Sequence, residues 1–177
     1  MMAHDYITDD VKALIGAWSG WIDASHPVES SEVRRFYQGT MDFNPNYFDA
    51  ARAARNRYGG LIAPPAFVVH LFRRRPDDAG DPFDQAGDPD FDGTSRRFRQ
   101  HLPRVLIPLA GSLNGGYEHE FASYVKIGEW VRCRSRYRDI YQRDSKTVPI
   151  VFVLVEDDYA TRDGRPILRC TNTAIMR

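Results

Sequence analysis

The stretch PPAFVVHLF at residues 64–72 decides the fold of this chain. Two prolines open it, and proline suits the first turn of a helix because the N–H groups of that turn have no partner within the helix. The residues that follow, Ala66 to Phe72, are almost all apolar. A helix that is apolar all round is typical of a buried position, so we expect a short buried helix here.

Downstream of this segment the pattern indicates β-strands. Between Trp130 and Ile140 the arginines at 132, 134, 136 and 138 occupy every second position, which predicts a strand with one buried face. The apolar run Ile150 to Val155 suits a central strand. Asp163-Gly164 predicts a hairpin turn into a strand over Ile167 to Met176. Another strand is predicted near Gly116 to Phe121.

The segment before residue 64 reads as mostly helical. Thr8 caps a predicted helix that carries Val11, Leu14, Ile15 and Trp18, and a short strand follows at Trp21 to Ala24. A second helix starts at Ser30 and is expected to end at Pro45. A third helix, capped by Asp49, should continue to about Arg57.

Together these elements predict an α+β fold, because an antiparallel sheet with one apolar face needs a cover and the helix over 66–72 is the only apolar one. Residues 1–177 suit one domain. Asp, Gly and Pro are dense between about 76 and 103, which favours a long surface loop over a second domain. This loop either faces a ligand or partner, or is plain solvated coil.

Composition narrows the function. The formal net charge is zero, so no overall field attracts nucleic acid or anionic membranes. No apolar run approaches the ~20 residues that span a bilayer, and the first residues lack a signal-peptide core. Cys133 and Cys170 have no CxxC spacing, so we expect buried, reduced thiols and a cytoplasmic protein.

Four segments carry a family resemblance: DFNPNYFD at 42–49, YGGLIAPPAF at 58–67, YVKIGE at 124–129 and TRDG at 161–164. In this order they resemble the MaoC-like, (R)-specific enoyl-CoA hydratase superfamily, whose signature is Asp-x-Asn-Pro-x-His-x-Asp followed by Gly-Gly-x-Ile-Ala-His-Gly-Met. The resemblance covers residues 30–177 apart from the loop. It implies the hotdog fold, an antiparallel sheet wrapped around a central helix.

The resemblance also implies which residues would carry the chemistry. Hydration of an enoyl thioester needs an acid and a base, and donors for the developing enolate oxygen. Asp42 matches the aspartate of the signature and Asn44 the asparagine, but Tyr47 falls on the histidine. A phenol with an ordinary pKa of ~10 does not exchange a proton near neutrality as an imidazole does.

A second departure concerns the oxyanion donor. Catalytic members use a backbone N–H of the His-Gly pair that opens the helix, and here Pro64 and Pro65 have no N–H. Losing one such donor typically costs ~3 kcal/mol of transition-state stabilisation. The chain therefore resembles the altered, N-terminal type of MaoC dehydratase domain, in which the motif is degenerate, the acyl pocket remains and a neighbouring hotdog supplies the catalytic residues.

The resulting expectation is a non-catalytic subunit of a heteromeric enoyl-CoA hydratase or 3-hydroxyacyl dehydratase in acyl-CoA and fatty acid metabolism, inactive alone. The partner of this subunit would be a catalytic MaoC-like hotdog or a second copy of the chain. The substrate would be acyl-CoA or a thioester of an acyl carrier protein. The chain would need no cofactor or metal. We expect a dimer or larger oligomer. The candidate substrate-binding residues are Tyr47, Pro64, Pro65, Phe67, Leu71 and Phe72, with Phe83 from the loop.

Other interpretations stay open. The chain could be a stand-alone acyl-CoA-binding homodimer, or an active hydratase that uses Asp42 with Tyr47 or His70. Asp42 and Asn44 could simply build a turn, and the paired glycines and prolines could be structural. The arginines at 132–138 suit a solvated or interface face, with a contact to CoA phosphate as the alternative. His119 is expected to be exposed on its strand.

Overall fold

The computed structural model describes residues 5–72, 87, 89, 98–99, 101–109, 111–145 and 149–177. Five antiparallel strands form one sheet in the order β1-β3-β4-β5-β2. They are β1 (Ile22–Asp23), β2 (Ser112–Phe121), β3 (Val131–Arg143), β4 (Ile150–Thr161) and β5 (Pro166–Met176). All four strands predicted after the apolar helix are confirmed. The strand predicted at Trp21 to Ala24 is reduced to the two residues of β1.

The helices are short and lie in the first half of the chain. They are α1 (Asp9–Lys12), α2 (Ser30–Thr40), α3 (Ala50–Arg55), a single 3₁₀ turn (Pro45–Tyr47) and the central helix (Pro65–Phe72), which is also 3₁₀. The central helix confirms the prediction made from the apolar run after the prolines. None of the helices in the described ranges is long and apolar enough to cross a membrane.

Local hydrogen bonds start the helices where the sequence predicts. The Thr8 hydroxyl accepts from the backbone N–H of Val11 at 3.4 Å. The Asp49 carboxylate accepts from the N–H of Arg52 at 2.9 Å. Each cap satisfies a backbone donor that lacks a partner in the first turn.

Two helix ends differ from the prediction. Helix α2 ends at Thr40 rather than at Pro45, because Met41 adopts a left-handed conformation with φ of 55°. Helix α1 ends at Lys12 and does not reach Trp18. The chain turns there so that Ile15 bridges to Tyr137 of β3, and pairing with the sheet replaces further helix.

Strand alternation gives the sheet two different faces. The inner face carries the buried side chains of β3, Val131, Cys133, Ser135 and Tyr137, and the outer face carries the arginines at 132, 134 and 136. The register continues each face across the sheet. On the inner face Ser135 lies opposite Asp157, which lies opposite Cys170, which in turn lies opposite His119 on β2.

Two apolar clusters cover the inner face. In the first, the central helix packs Phe67, Val68 and Leu71 into a cluster with Val131 and Leu168 of the sheet. In the second, α1 and the segment 102–109 pack on the half that carries Tyr137, Ile140, Val151, Val153 and Val155. Each fully buried side chain of this kind contributes roughly 1.5–3 kcal/mol. The sheet wrapped around a central helix confirms the predicted α+β hotdog fold.

The last residues of the predicted surface loop do not lie in a surface loop but pack against the sheet. Arg99 forms an ion pair with the fully buried Asp157, and Leu102 is buried in the second cluster. The backbone carbonyl of Pro103 accepts a hydrogen bond from the Tyr137 hydroxyl. This end of the segment therefore packs against the sheet. The greater part of the predicted loop, with Phe83, lies outside the described residues.

Candidate functional site

The candidate site is built on the short chain segment between α2 and α3. Left-handed Met41 ends α2 and turns the chain, and the Pro45–Tyr47 turn then directs Tyr47 inwards. The Tyr47 side chain is 6% exposed, whereas Asp42 is exposed. The Tyr47 hydroxyl donates a hydrogen bond to Asp42 Oδ2 at 3.1 Å. The structure thus joins the residues that match the aspartate and the histidine of the signature.

Asn44 has a local structural role. Its side-chain oxygen accepts from the backbone N–H of Asn46 at 3.1 Å and so caps the 3₁₀ turn. This is the turn chemistry that the sequence left open for Asp42 and Asn44. Asn44 has this turn role, whereas the Asp42 carboxylate accepts a hydrogen bond from the Tyr47 hydroxyl.

The environment of Tyr47 keeps its phenol protonated. Burial raises the pKa of Tyr47 well above its usual value, and the hydrogen bond to Asp42 raises it further. A phenol with a raised pKa can donate a hydrogen bond, but it neither takes up nor releases a proton readily near neutral pH. At this position the chain holds a hydrogen-bond donor and no general base.

The two prolines lie next to this pair. The N–H of Ile62 donates to the carbonyl of Asn46 at 3.1 Å, and the N–H of Ala63 donates to the carbonyl of Val125 at 2.9 Å. These bonds hold the start of the central helix between the Tyr47 segment and the connection from β2 to β3. Pro64 is buried and Pro65 half-buried. Neither can donate a backbone hydrogen bond to a thioester oxygen.

The apolar candidates of the central helix pack in the same region. Phe67 and Leu71 are buried in the cluster that contains Tyr47, and Phe72 is half-buried against it. Phe67 meets Phe36 edge to face at a centroid distance of 5.6 Å, and Phe72 lies 5.5 Å from the Tyr159 ring. In the isolated chain these side chains contact other core residues.

Sequence reasoning missed an aromatic group around the pair. Tyr58 and Tyr124 meet edge to face at 5.0 Å, and Arg57 donates to the Tyr58 hydroxyl at 2.8 Å. Burial, followed by the influence of Tyr58, raises the pKa of Tyr124. The available signal was weak: Tyr58 precedes the paired glycines and Tyr124 opens the third resembling segment. Only the fold brings them together.

The two histidines considered from the sequence are both exposed. His70, on the central helix, packs its ring 4.9 Å from Phe36. His119 lies on β2 between the exposed rings of Tyr117 and Phe121, as predicted from the strand alternation.

Known structures share this architecture. The ChsH1-ChsH2 complex from Mycobacterium tuberculosis aligns with a TM-score of 0.65 and 20% identity over 90% of this chain and 88% of that one. The HadBC (3R-hydroxyacyl-ACP dehydratase) complex from the same organism gives 0.60 and 16% over 92% and 96%. The (R)-hydratase from A. caviae gives 0.56 and 19% over 90% and 96%. At these identities the likeness shows the fold.

Comparison by sequence identifies the family. No curated protein matches the chain. A family model described as FAS1-like, dehydratase domain region, matches residues 13–170, which include the Asp42–Tyr47 pair, the central helix and nearly the whole sheet. This chain therefore belongs to the FAS1-like, dehydratase domain region family and has the hotdog fold of the MaoC-like dehydratases and (R)-hydratases.

Proposed function

We propose that this chain is a non-catalytic, acyl-thioester-binding subunit of a heteromeric enoyl-CoA hydratase or 3-hydroxyacyl-thioester dehydratase. The observation that carries the proposal is the Asp42–Tyr47 pair. A protonated, buried phenol stands where the reaction needs a group that titrates near neutrality, and it occupies the carboxylate that would otherwise activate water.

The opening of the central helix supports the same conclusion independently. Developing charge on a thioester oxygen is stabilised by a donor fixed at the start of this helix, and Pro64 and Pro65 offer none. The missing donor and the missing acid/base each lower the rate. A subunit with both changes keeps the shape of the site without its chemistry.

The acyl group would lie along the aromatic and aliphatic side chains of the site. Tyr47, Phe67, Leu71 and Phe72 form or border one apolar cluster, and each buried CH₂ of an acyl chain contributes ~0.8 kcal/mol. A partner hotdog with an intact Asp and His would supply the reaction. Two of the structural neighbours, ChsH1-ChsH2 and HadBC, are themselves complexes, which is consistent with pairing of this kind.

The test compares the purified chain with the chain co-expressed with a catalytic MaoC-like hotdog. We expect no hydration of crotonyl-CoA or longer enoyl-CoA by the chain alone. In the complex, Asp42→Ala in this chain should leave turnover within a few-fold of the unmodified complex, whereas the same change in the partner's aspartate should abolish it. Turnover by the chain alone that disappears in Asp42→Ala would show an active enzyme instead.

A second pair of variants tests the pocket. Phe67→Ala and Leu71→Ala should change long-chain kinetics of the complex far more than short-chain kinetics, because only a long acyl group reaches them. Asn44→Ala, in the turn, serves as the matched control and should affect both substrates alike. If no catalytic hotdog restores turnover while the chain still binds acyl-CoA, a stand-alone acyl-binding homodimer becomes the better account.

A further inference from the structure

The outer face of the sheet carries a ladder of ion pairs across β3, β4 and β5. Arg134 lies opposite Asp158 and binds it at 3.0 Å, and Arg136 lies opposite Glu156 and binds it at 2.8 Å. Arg169 of β5 contacts Asp158 at 2.8 Å. Directly opposed charges of opposite sign stabilise a sheet, and in these two rungs each arginine meets a carboxylate.

The next rung breaks the pattern. Arg132 lies opposite Ala160 on β4, so no carboxylate faces it there. On its other side lies Asp23 of β1, but the Asp23 carboxylate binds Arg162 at 2.9 Å. Within the described residues, Arg132 Nε and Arg136 Nε are both buried and lack a hydrogen-bond partner, but Arg136 binds Glu156 through its Nη2 whereas no carboxylate binds Arg132. A buried donor without an acceptor is costly, and more so when it is charged.

A cavity of about 470 Å³ opens over this rung. Its lining includes Arg132, Arg134 and Arg169 against two carboxylates, Asp158 and Glu120. Asp158 is already engaged by two of these arginines, which leaves a positive surplus at Arg132. The volume is in the range of pockets that hold small organic molecules.

The rest of the lining is apolar and partly aromatic. Its outer-face members are Trp21, Ala160 and Pro166. The Arg132 guanidinium lies 4.5 Å from the centroid of the Trp21 ring, and this stacking holds the guanidinium in place. A planar guanidinium held against an aromatic ring suits two-point binding of a carboxylate or phosphate.

We propose that this cavity binds a small organic anion, a carboxylate or phosphate monoester attached to a flat apolar group. The anionic group would complete the third rung by accepting from Arg132, and the apolar group would lie against Trp21 and Pro166. The proposal does not rest on the acyl-binding function. Arg132 is on the outer face, whereas Tyr47 and the central helix belong to the cluster on the inner face.

The test is a titration with benzoate and with phenyl phosphate, followed by the Arg132 Nε–H resonance in ¹H–¹⁵N spectra and by tryptophan fluorescence. We expect saturable binding at millimolar concentration or below with at least one of the two, which identifies the anionic group. Acetate and inorganic phosphate should bind more weakly because they do not contact the apolar wall. Absence of saturable binding by either aromatic anion overturns the proposal.

Three variants locate the site. Arg132→Gln should weaken binding ~10-fold or more, as expected for loss of a charged hydrogen-bond partner. Ala160→Asp keeps Arg132 and supplies the missing carboxylate from within the chain, so it should compete with the anion and weaken binding similarly. Arg138→Gln, on the same strand outside the cavity lining, is the matched control and should change nothing. Binding that persists in both cavity variants, with folding verified by circular dichroism, assigns the anion elsewhere and contradicts the proposal.

Discussion

At position 47 a single ring decides what the site can do. Tyr47 places a phenol oxygen 3.1 Å from Asp42, and burial raises the pKa of the phenol further from neutrality. The hydrogen bond therefore persists over the whole physiological pH range. Its contribution is structural: it ties the segment between α2 and α3 to the carboxylate at its beginning.

Removing this hydroxyl tests that role. Tyr47→Phe leaves the ring in place and deletes one partly buried hydrogen bond to a charged acceptor, so we expect the free energy of unfolding to fall by about 1.5 kcal/mol. Urea denaturation measures the change. Tyr58→Phe is the control, since its hydroxyl accepts a hydrogen bond from the exposed Arg57 side chain and its loss should cost less. Equal effects in the two variants would mean that the Asp42–Tyr47 bond contributes nothing special.

The two cysteines are protected from reaction. Burial raises the pKa of the Cys133 thiol strongly, and burial raises that of Cys170 to about 11. The thiolate is the reactive form, so neither side chain should react with Ellman's reagent at pH 8 in the native protein. Each should react rapidly in urea. Fast labelling of the folded chain would show that the inner face opens.

Residue-scale predictions succeeded where the signal is local. Asp49 caps α3 through a donor three residues away, and both cysteines were expected to be buried from their positions in strand patterns. A role in a turn was one of the two interpretations of Asn44, and it too follows from the local sequence. The Tyr58–Tyr124 contact could not be predicted, because it joins residues from two separate segments and neither has a pattern that points to the other.

At the scale of elements, a polar seam separates the two apolar clusters on the inner face. Arg99 Nε donates to Asp157 Oδ1 at 2.9 Å, and the Ser135 hydroxyl donates to the same oxygen at 2.5 Å. His101 Nε2 lies 2.8 Å from the Ser135 oxygen. Because Ser135 gives its only proton to Asp157, His101 Nε2 must be the donor in the last bond. The seam fastens residues 99–101 to β3 and β4.

Removing the Arg99–Asp157 ion pair should lower the stability of the fold strongly. Asp157 is fully buried, so Asp157→Ala leaves the Arg99 charge without its partner, and we expect a loss of about 3–5 kcal/mol in the free energy of unfolding. Urea denaturation of Asp157→Ala, Arg99→Ala and the double variant forms a double-mutant cycle. The double variant should cost less than the sum of the single ones. Simple additivity would mean that the pair is not coupled.

The ion pairs on the outer face make the stability of the protein depend on pH. Burial acts to raise the pKa of Asp158, but hydrogen bonds from Arg169 and Arg134 outweigh it and hold the pKa below its usual value of 3.8. A carboxyl whose pKa is lowered by folding stabilises the protein above its unfolded pKa. That stability is lost as the pH falls below about 4 and passes through the folded pKa.

Asp158→Asn should therefore lower the melting temperature at pH 7 and flatten its decline at acidic pH. Melting curves between neutral pH and pH 3 measure both effects. The exposed Asp9→Asn in α1 is the control and should follow the original curve. If the melting temperature of Asp158→Asn declined at acidic pH as steeply as that of the original protein, other carboxylates would cause the acid sensitivity.

The elements themselves were largely predictable, since they follow from periodicity. The arginines at 132, 134 and 136 lie on one face because they alternate, and Asp163-Gly164 forms the predicted hairpin turn between β4 and β5. The seam was not predictable. Arg99 and Asp157 are 58 residues apart, and Arg99 stands in a stretch whose composition indicates a surface loop.

At the scale of the whole molecule, the sheet is covered unevenly. The central helix and the segment 102–109 cover the inner side of β3, β4 and β5, whereas neither of these two elements covers the inner-face side chains of β2. Tyr117 is 58% exposed and Phe121 50% exposed, with His119 between them. In the described part of the chain β2 pairs only with β5, so its other edge has free backbone donors and acceptors.

An open strand edge beside exposed aromatic rings favours pairing with another chain. We therefore expect the purified protein to be a dimer or larger at micromolar concentration in size-exclusion chromatography with light scattering.

Tyr117→Lys combined with Phe121→Lys should shift the protein towards the monomer, because two positive charges would face the contact. Leu106→Lys, which changes an even more exposed apolar residue away from β2, is the control and should leave the mass unchanged. A monodisperse monomer before any substitution would show that β2 is not a pairing edge, and dissociation by the control alone would place the contact elsewhere. In a heteromeric complex the same edge would join the catalytic hotdog, so the lysine variants should also abolish co-purification with it.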